Sequence, residues 1–214
     1  MRIPLARWGL GVIAVVATGC VLLGALVWHL AGWYALLCAT PAVFTLYFFR
    51  DPERTADEAD AKAVLSPADG KVVAVVEEEL PDGRRGTTID IFLSIFDVHL
   101  NRAPVAGTVT ATRYKKGSFL NALRAEAGEA NESNAITLST AYGEIEVKQI
   151  AGVIARRIVC AVREGQTLGA GERLGMIRFG SRTKLFVPAE SGFEPSVCAG
   201  ERVLAGKSVL GHVK

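Results

Sequence analysis

The chain is short of the features that define several large classes of protein. Four cysteines, Cys20, Cys38, Cys160 and Cys198, are all it has among 214 residues. They are too few and too scattered for a disulfide scaffold, and none forms a C-x-x-C pair, so no zinc site is expected either. An excess of charge of either sign is also missing: 24 lysines and arginines stand against 22 aspartates and glutamates, a formal net charge of +2. That balance excludes an acidic disordered tail and gives no footing to nucleic-acid binding. The G-x-S-x-G elbow of many serine hydrolases is absent. The most informative absence is local. From Gly9 to Phe49 there is no Asp, Glu, Lys or Arg.

A spanning helix needs about 20 apolar residues. The uncharged stretch is too long for one span and long enough for two. His29, flanked by Trp28 and Trp33-Tyr34, suits a membrane–water interface, and Gly32 suits a turn. The expectation is a helical hairpin, roughly Gly9–Val27 and Trp33–Phe49, with Pro41 kinking the second helix. Arg2 and Arg7 precede it, Arg50, Arg54 and Lys62 follow it, and the turn has no basic residue. The positive-inside rule then places both ends on the cytoplasmic side of the cell membrane. A cleaved signal peptide also begins with basic residues and an apolar run, but the second run without a clear cleavage site before it favours the hairpin. Unpaired cysteines suit a reducing cytoplasm.

Residues 1–50 are therefore read as a membrane anchor, 51–63 as a polar linker, and 64–214 as a separate domain. In that domain short runs of Val, Ile and Thr are broken by Gly, Pro, Asn and Asp, as in strands. Strands are expected at Lys71–Glu77, Thr87–Ser94, Gly107–Tyr114, Ala135–Ser139, Glu144–Ile150, Ile154–Val162 and Leu174–Phe179, with a hairpin at Gly143. One short helix is expected at Phe119–Glu126. The fold class is mainly β. Residues 153–179, a strand pair, a glycine-punctuated turn at Glu164–Glu172 and a further strand, resemble the β-sandwiches of lipoyl and biotinyl carriers. Those carriers modify a lysine next to a methionine, and neither Met1 nor Met176 has a lysine neighbour. The resemblance implies the architecture without the carrier function.

Three segments carry chemistry: Leu65–Val72 with Pro67-Ala68-Asp69-Gly70, Phe92–Pro104 with Asp97-Val98-His99, and Arg178-Phe179-Gly180-Ser181-Arg182-Thr183. Singly each has an ordinary explanation, a β-turn, a packed histidine and a loop dipeptide. Their order and spacing resemble the phosphatidylserine decarboxylase family, in its short bacterial and archaeal-type branch.

The resemblance implies a proenzyme that cuts itself between Gly180 and Ser181, with Asp69, His99 and Ser181 as the catalytic set. Ser181 then becomes a covalent pyruvoyl group, whose carbonyl condenses with the amine of phosphatidylserine and accepts electrons as CO2 leaves. His99 is the expected proton donor that completes phosphatidylethanolamine. Neither a metal nor PLP is implied. The implied partners are phosphatidylserine, the bilayer, and the two fragments 1–180 and 181–214 as a heterodimer; self-association is left open and nucleic acid is not expected. The family's longer members place a second histidine where this chain has Arg102, so His99 serves both reactions or shares them. Arg102 is read equally as a phosphate or carboxylate ligand and as a surface arginine. His212 stands in a polar tail and is a weak candidate. Tyr114–Ala122 and Asn131–Asn134 resemble family segments; Lys115 and Lys116 are candidate contacts to anionic lipid heads, and Phe119, Leu120 and Leu123 candidate bilayer contacts. The alternative from another class is a non-catalytic, membrane-tethered adaptor with a carrier-like domain. A serine hydrolase using Ser181 and His99 ranks last.

Overall fold

The computed structural model describes residues 9–28, 33–58, 60–121, 126–153, 157–178 and 181–214. The chain divides into two compact units, Met1–Glu53 and Arg54–Lys214.

The first unit holds helices α1 (Leu10–Trp28) and α2 (Trp33–Phe48), neither with a charged residue. They pack on each other, and Gly9 lets the Phe49 ring lie where a Cβ would otherwise be. Pro41 lies inside α2, and the Thr45 hydroxyl donates to the Pro41 carbonyl at 2.6 Å. Large apolar side chains such as Val15, Leu22, Leu26 and Leu36 point outward. At 1.5 Å per residue the helices are about 28 and 24 Å long, against about 30 Å of bilayer hydrocarbon. Among the described residues no helix is long and apolar enough to cross a membrane. The expected turn at His29–Gly32 lies outside the described residues.

The second unit is mainly β. Its strands are β1 (Ala63–Leu65), β2 (Gly70–Glu79), β3 (Arg85–Leu93), β4 (Leu100–Arg102), β5 (Gly107–Lys115), β6 (Ser133–Thr140) and β7 (Gly143–Ala151). After them come β8 (Ile158–Cys160), β9 (Thr167–Leu168), β10 (Arg173–Ile177), β11 (Ser181–Pro188), β12 (Glu194–Pro195), β13 (Arg202–Val203) and β14 (Val209–His212). One short helix, α3 (Ala127–Ala130), lies between β5 and β6. The main sheet runs β13-β2-β3-β11-β7-β6-β5-β9. Two three-stranded sheets, β1-β14-β12 and β4-β10-β8, accompany it.

Period-two alternation divides the main sheet into two faces. Ile89, Ile91 and Leu93 of β3, Ile145 and Val147 of β7, and Leu185 and Val187 of β11 belong to the core. On the opposite face Arg182 and Lys184 lie 3.6 and 3.9 Å from Asp90. Burial pushes the Asp90 carboxyl upward, against the pull of Lys184 and Arg182. The β6–β7 hairpin closes through Thr140 and Gly143, which pair directly, and Gly143 takes a positive φ of 97°.

The strand expected over 154–162 is confined to Ile158–Cys160 among the described residues. Phe119–Asn121 is not helical. Asn131 explains this: its Oδ1 accepts from the Leu120 N–H and its Nδ2 donates to the carbonyls of Leu120 and Ala151, all at 2.8 Å. That amide satisfies Leu120 as a neighbouring strand would; residues 122–125 of the expected helix lie outside the described residues, and a short helix follows at Ala127–Ala130. The stretch read as a linker is also bound. Asp57 N–H donates to Lys207 O at 3.0 Å, and Ala63–Leu65 pairs with β14.

Candidate active site

Strand β11 sits in the middle of the main sheet, paired with β3 on one side and β7 on the other. Its first residue, Ser181, lies between Leu93 and Ala151. The Ser181 side chain is wholly buried, and its Oγ has no hydrogen-bond partner among the described residues. An unsatisfied buried hydroxyl costs roughly 1–3 kcal/mol. Gly180 and Phe179 lie outside the described residues.

His99 immediately precedes β4 and is also wholly buried. Its Nδ1 lies 3.0 Å from the Asp97 carbonyl oxygen. A carbonyl only accepts, so Nδ1 carries the proton and Nε2 is the basic nitrogen. The His99 carbonyl accepts from Ile177 N–H at 3.1 Å. Ile177 ends β10, four residues before Ser181, so this bond ties the end of β10 to the histidine's main chain. The Asp97 carboxylate accepts from the Ser94 N–H and hydroxyl at 2.8 and 2.7 Å and from Arg202 at 3.1 Å. It thereby closes the 94–97 turn that aims its own carbonyl at the imidazole.

Asp69 precedes β2. Lys71 pairs with Phe92 and Phe92 with Arg182, so Asp69 and Ser181 stand at the same end of the sheet, two strands apart, about 10 Å laterally. Asp69 is buried. Its carboxylate accepts two hydrogen bonds from Arg54, at 2.6 and 2.8 Å, and one from Ala205 N–H at 2.8 Å. Asp69 and Ser181 therefore share one end of the main sheet, while His99 leads into the separate sheet β4-β10-β8; Asp69 is committed to Arg54, and a main-chain carbonyl holds His99 Nδ1.

Arg102 is buried in β4, where its guanidinium donates to Gly171 O at 3.0 Å. Its Cδ also packs where a Gly206 side chain would stand. Lys115 ends β5 and donates to Glu129 O at 2.8 Å. It lies in the transverse row Lys115–Ser133–Ile150–Arg182 and so shares Ser181's sheet end; Lys116 follows it, exposed. His212 lies in β14 with Nε2 3.2 Å from Glu58. The loops at this sheet end also carry Phe96, 62 % exposed, and exposed Val153, with Phe119 and Ile158 packed on Ile177 and Ala151. Arg178 donates its N–H to the Arg157 carbonyl at 3.2 Å. Burial and the Arg157 charge weaken the hold of the Arg178 guanidinium on its proton.

Two residues of this site carry no signal in the sequence: Asn101 lies inside the Phe92–Pro104 segment without a motif of its own, and Arg54 reads as a basic residue of the linker. A buried carboxylate such as Asp69 calls for an arginine, but only the fold shows which one.

A mainly β protein that encloses a serine at the head of a central strand and a histidine held through its Nδ1 defines the class: a β domain with a buried serine and a buried histidine. Sequence comparison supplies the family. The phosphatidylserine decarboxylase family model matches residues 42–211. A phosphatidylserine decarboxylase proenzyme of Cereibacter sphaeroides is 44 % identical, covering 97 % of this chain and 89 % of that protein. Proenzymes of the same description from Syntrophus aciditrophicus and Carboxydothermus hydrogenoformans are 45 and 44 % identical, over 94 % and 100 % of both chains. The chain belongs to the phosphatidylserine decarboxylase family.

Proposed function

We propose that this chain is a proenzyme that cuts itself between Gly180 and Ser181 and then decarboxylates phosphatidylserine to phosphatidylethanolamine. The observation that carries the reading is the buried Ser181 Oγ without a hydrogen-bond partner among the described residues. A hydroxyl kept dry and unpaired at a cost to stability is suited to attack a carbonyl beside it.

His99 Nε2 takes the hydroxyl proton as Oγ bonds to the Gly180 carbonyl carbon. The C–N bond breaks, the Ser181 nitrogen takes the proton, and an ester joins Gly180 to the serine oxygen. Loss of the Ser181 α-proton then breaks the Cβ–Oγ bond and frees the Gly180 carboxylate. The dehydroalanine left behind tautomerises to an imine, which water hydrolyses to a pyruvoyl terminus with release of ammonia. Burial of Ser181 and His99 fits this sequence, because it limits early hydrolysis of the ester.

The pyruvoyl carbonyl supplies an electron sink for the leaving carboxylate. The chain does the rest. Nδ1, fixed by the Asp97 carbonyl, keeps the imidazole oriented so that Nε2 can move a proton at the reacting carbon. Asp69 and Arg54 hold the 67–70 turn, on which β4 rests through the bond from Arg102 N–H to Pro67 O, 2.9 Å. Arg178 and Arg157 repel each other, and an anionic head group near them relieves that repulsion.

The substrate is a lipid, and the sheet end that bears Ser181 also bears Phe96, Val153, Lys115 and Lys116. This supports docking on an anionic bilayer through apolar side chains with a basic fringe. The same reading takes the uncharged helices as a membrane hairpin with the β unit on the cytoplasmic side, the β unit as a carrier-like sandwich, and fragments 1–180 and 181–214 as staying together. In that sandwich β11 belongs to the small fragment yet lies between two strands of the large one. The test is a gel and a lipid assay: wild type gives two fragments and forms phosphatidylethanolamine, while Ser181→Ala gives one chain and none. Decarboxylation by an uncut chain refutes the proposal.

A further inference from the structure

His99 and Ser181 belong to different sheets. His99 leads β4, in the sheet β4-β10-β8, and Ser181 leads β11 in the main sheet. No ladder hydrogen bonds join β4 to β11, so backbone pairing does not fix how one active residue stands to the other. A buried side-chain chain does. Asn134 Nδ2 donates to Gln149 Oε1 at 3.0 Å, Gln149 Nε2 to Asn101 Oδ1 at 3.0 Å, and Asn101 Nδ2 to Thr183 Oγ1 at 2.9 Å. Asn101 Nδ2 also donates to the Pro67 carbonyl at 3.3 Å. All four side chains are buried.

The polarity of this chain is fixed at one end. Pro67 O only accepts, so the Asn101 atom facing it is nitrogen; Oδ1 must then accept from Gln149, and Gln149 Oε1 from Asn134. Asn101 spends both amide hydrogens and its oxygen on three segments. It is two residues from His99, it touches the strand of Ser181 two residues further on, and it touches the turn two residues before Asp69. Thr183 and Ser181 share one face of β11.

We propose that Asn101 is the positioning residue of the site, setting the β4 histidine against the β11 serine through Thr183, with Gln149 fixing its orientation. The proposal rests on the self-cleaving reading above. It makes the Asn101–Thr183 bond a requirement of alignment as well as of stability. Thr183→Ser keeps the acceptor and aligns the site. Thr183→Val keeps the shape, removes the acceptor and strands one buried Asn101 hydrogen. Asn101→Leu removes all three ties.

The experiment follows cleavage of freshly synthesised full-length chain by gel, well below each variant's measured melting temperature, and then assays the matured fraction on phosphatidylserine vesicles. The expected result is wild-type cleavage for Thr183→Ser and a loss of at least about fivefold for Thr183→Val, the worth of one buried hydrogen bond. A larger loss is expected for Asn101→Leu. Per mature terminus, kcat falls in Thr183→Val while KM stays unchanged. If Thr183→Val and Asn101→Leu melt lower but cleave and turn over at wild-type rates, the network only stabilises and the proposal is overturned. If Thr183→Ser is as slow as Thr183→Val, the hydroxyl is not the tie, which also overturns it. Wild type that never cleaves sinks the self-cleaving reading itself and is recognisable as such in the same gel.

Discussion

Replacing Arg54 by Met tests the site's electrostatic anchor. The Arg54–Asp69 pair is bidentate, and its side chains are only 11 % and 5 % exposed. Removing the guanidinium leaves the Asp69 carboxylate buried with one remaining donor among the described residues, the Ala205 N–H. Breaking a buried pair from one side costs about 3–5 kcal/mol, and the slight exposure of Arg54 argues for the lower end, about 3 kcal/mol. For a unit of this size that is a fall in melting temperature of about 6–12 °C. All three tryptophans, Trp8, Trp28 and Trp33, precede residue 54, so tryptophan fluorescence is blind to the β unit. Far-UV circular dichroism of the full chain in detergent reads it directly. Asp69→Asn in the same background completes a double-mutant cycle, and a coupling above about 1 kcal/mol is expected. A fall of only a degree or two would mean the pair behaves as an exposed salt bridge, and the anchoring role of Arg54 would be wrong.

Other perturbations have equally definite outcomes. Ser181→Ala remains a single chain on a gel and melts no lower than wild type, because the hydroxyl has no hydrogen-bond partner to lose among the described residues. Gly70→Ala, whose Cβ would collide with the Phe92 carbonyl, destabilises the β2–β3 pairing and leaves little soluble, cleaved protein; normal yield and cleavage would show that the turn is soft. Burial raises Asp90's folded pKa, so the native state binds its proton more tightly than the unfolded one. Stability attributable to Asp90 is therefore greatest at low pH and declines as pH rises from the ordinary carboxylate value to the raised one. Subtracting an Asp90→Asn melting curve from wild type across pH should show that decline, and a difference of opposite slope would refute it. Phe96→Asp with Val153→Asp lowers turnover on vesicles more than on a soluble short-chain phosphatidylserine; equal losses would remove the docking surface.

The strands carried by Val, Ile and Thr were legible in sequence because their alternation is local. β11 was not, although Ser181-Arg182-Thr183-Lys184-Leu185-Phe186-Val187 alternates cleanly. Its outer face is charged, and the Gly-Ser dipeptide before it draws a loop reading. The first residues of the helix expected from Phe119 are non-helical for a non-local reason: the Asn131 amide, eleven residues away, offers Leu120 strand-like hydrogen bonds. Among the candidate residues, Ser181 and Asp69 stand at one end of the main sheet, and His99 leads a strand of another sheet. Arg102 is buried in β4 and donates one hydrogen bond to the Gly171 carbonyl. The partners that organise the site were out of reach from sequence. Arg54 finds Asp69 across the turn, and Asn101 finds Thr183 across two sheets. Such pairings depend on topology, and no spacing rule encodes them.

The most direct test is the intact mass of the small fragment from purified, active protein. The account predicts residues 181–214 with a terminal mass lower by one ammonia than the serine form, and reactive toward carbonyl reagents. A fragment that begins with unaltered serine, or activity from an uncut chain of 214 residues, would contradict it.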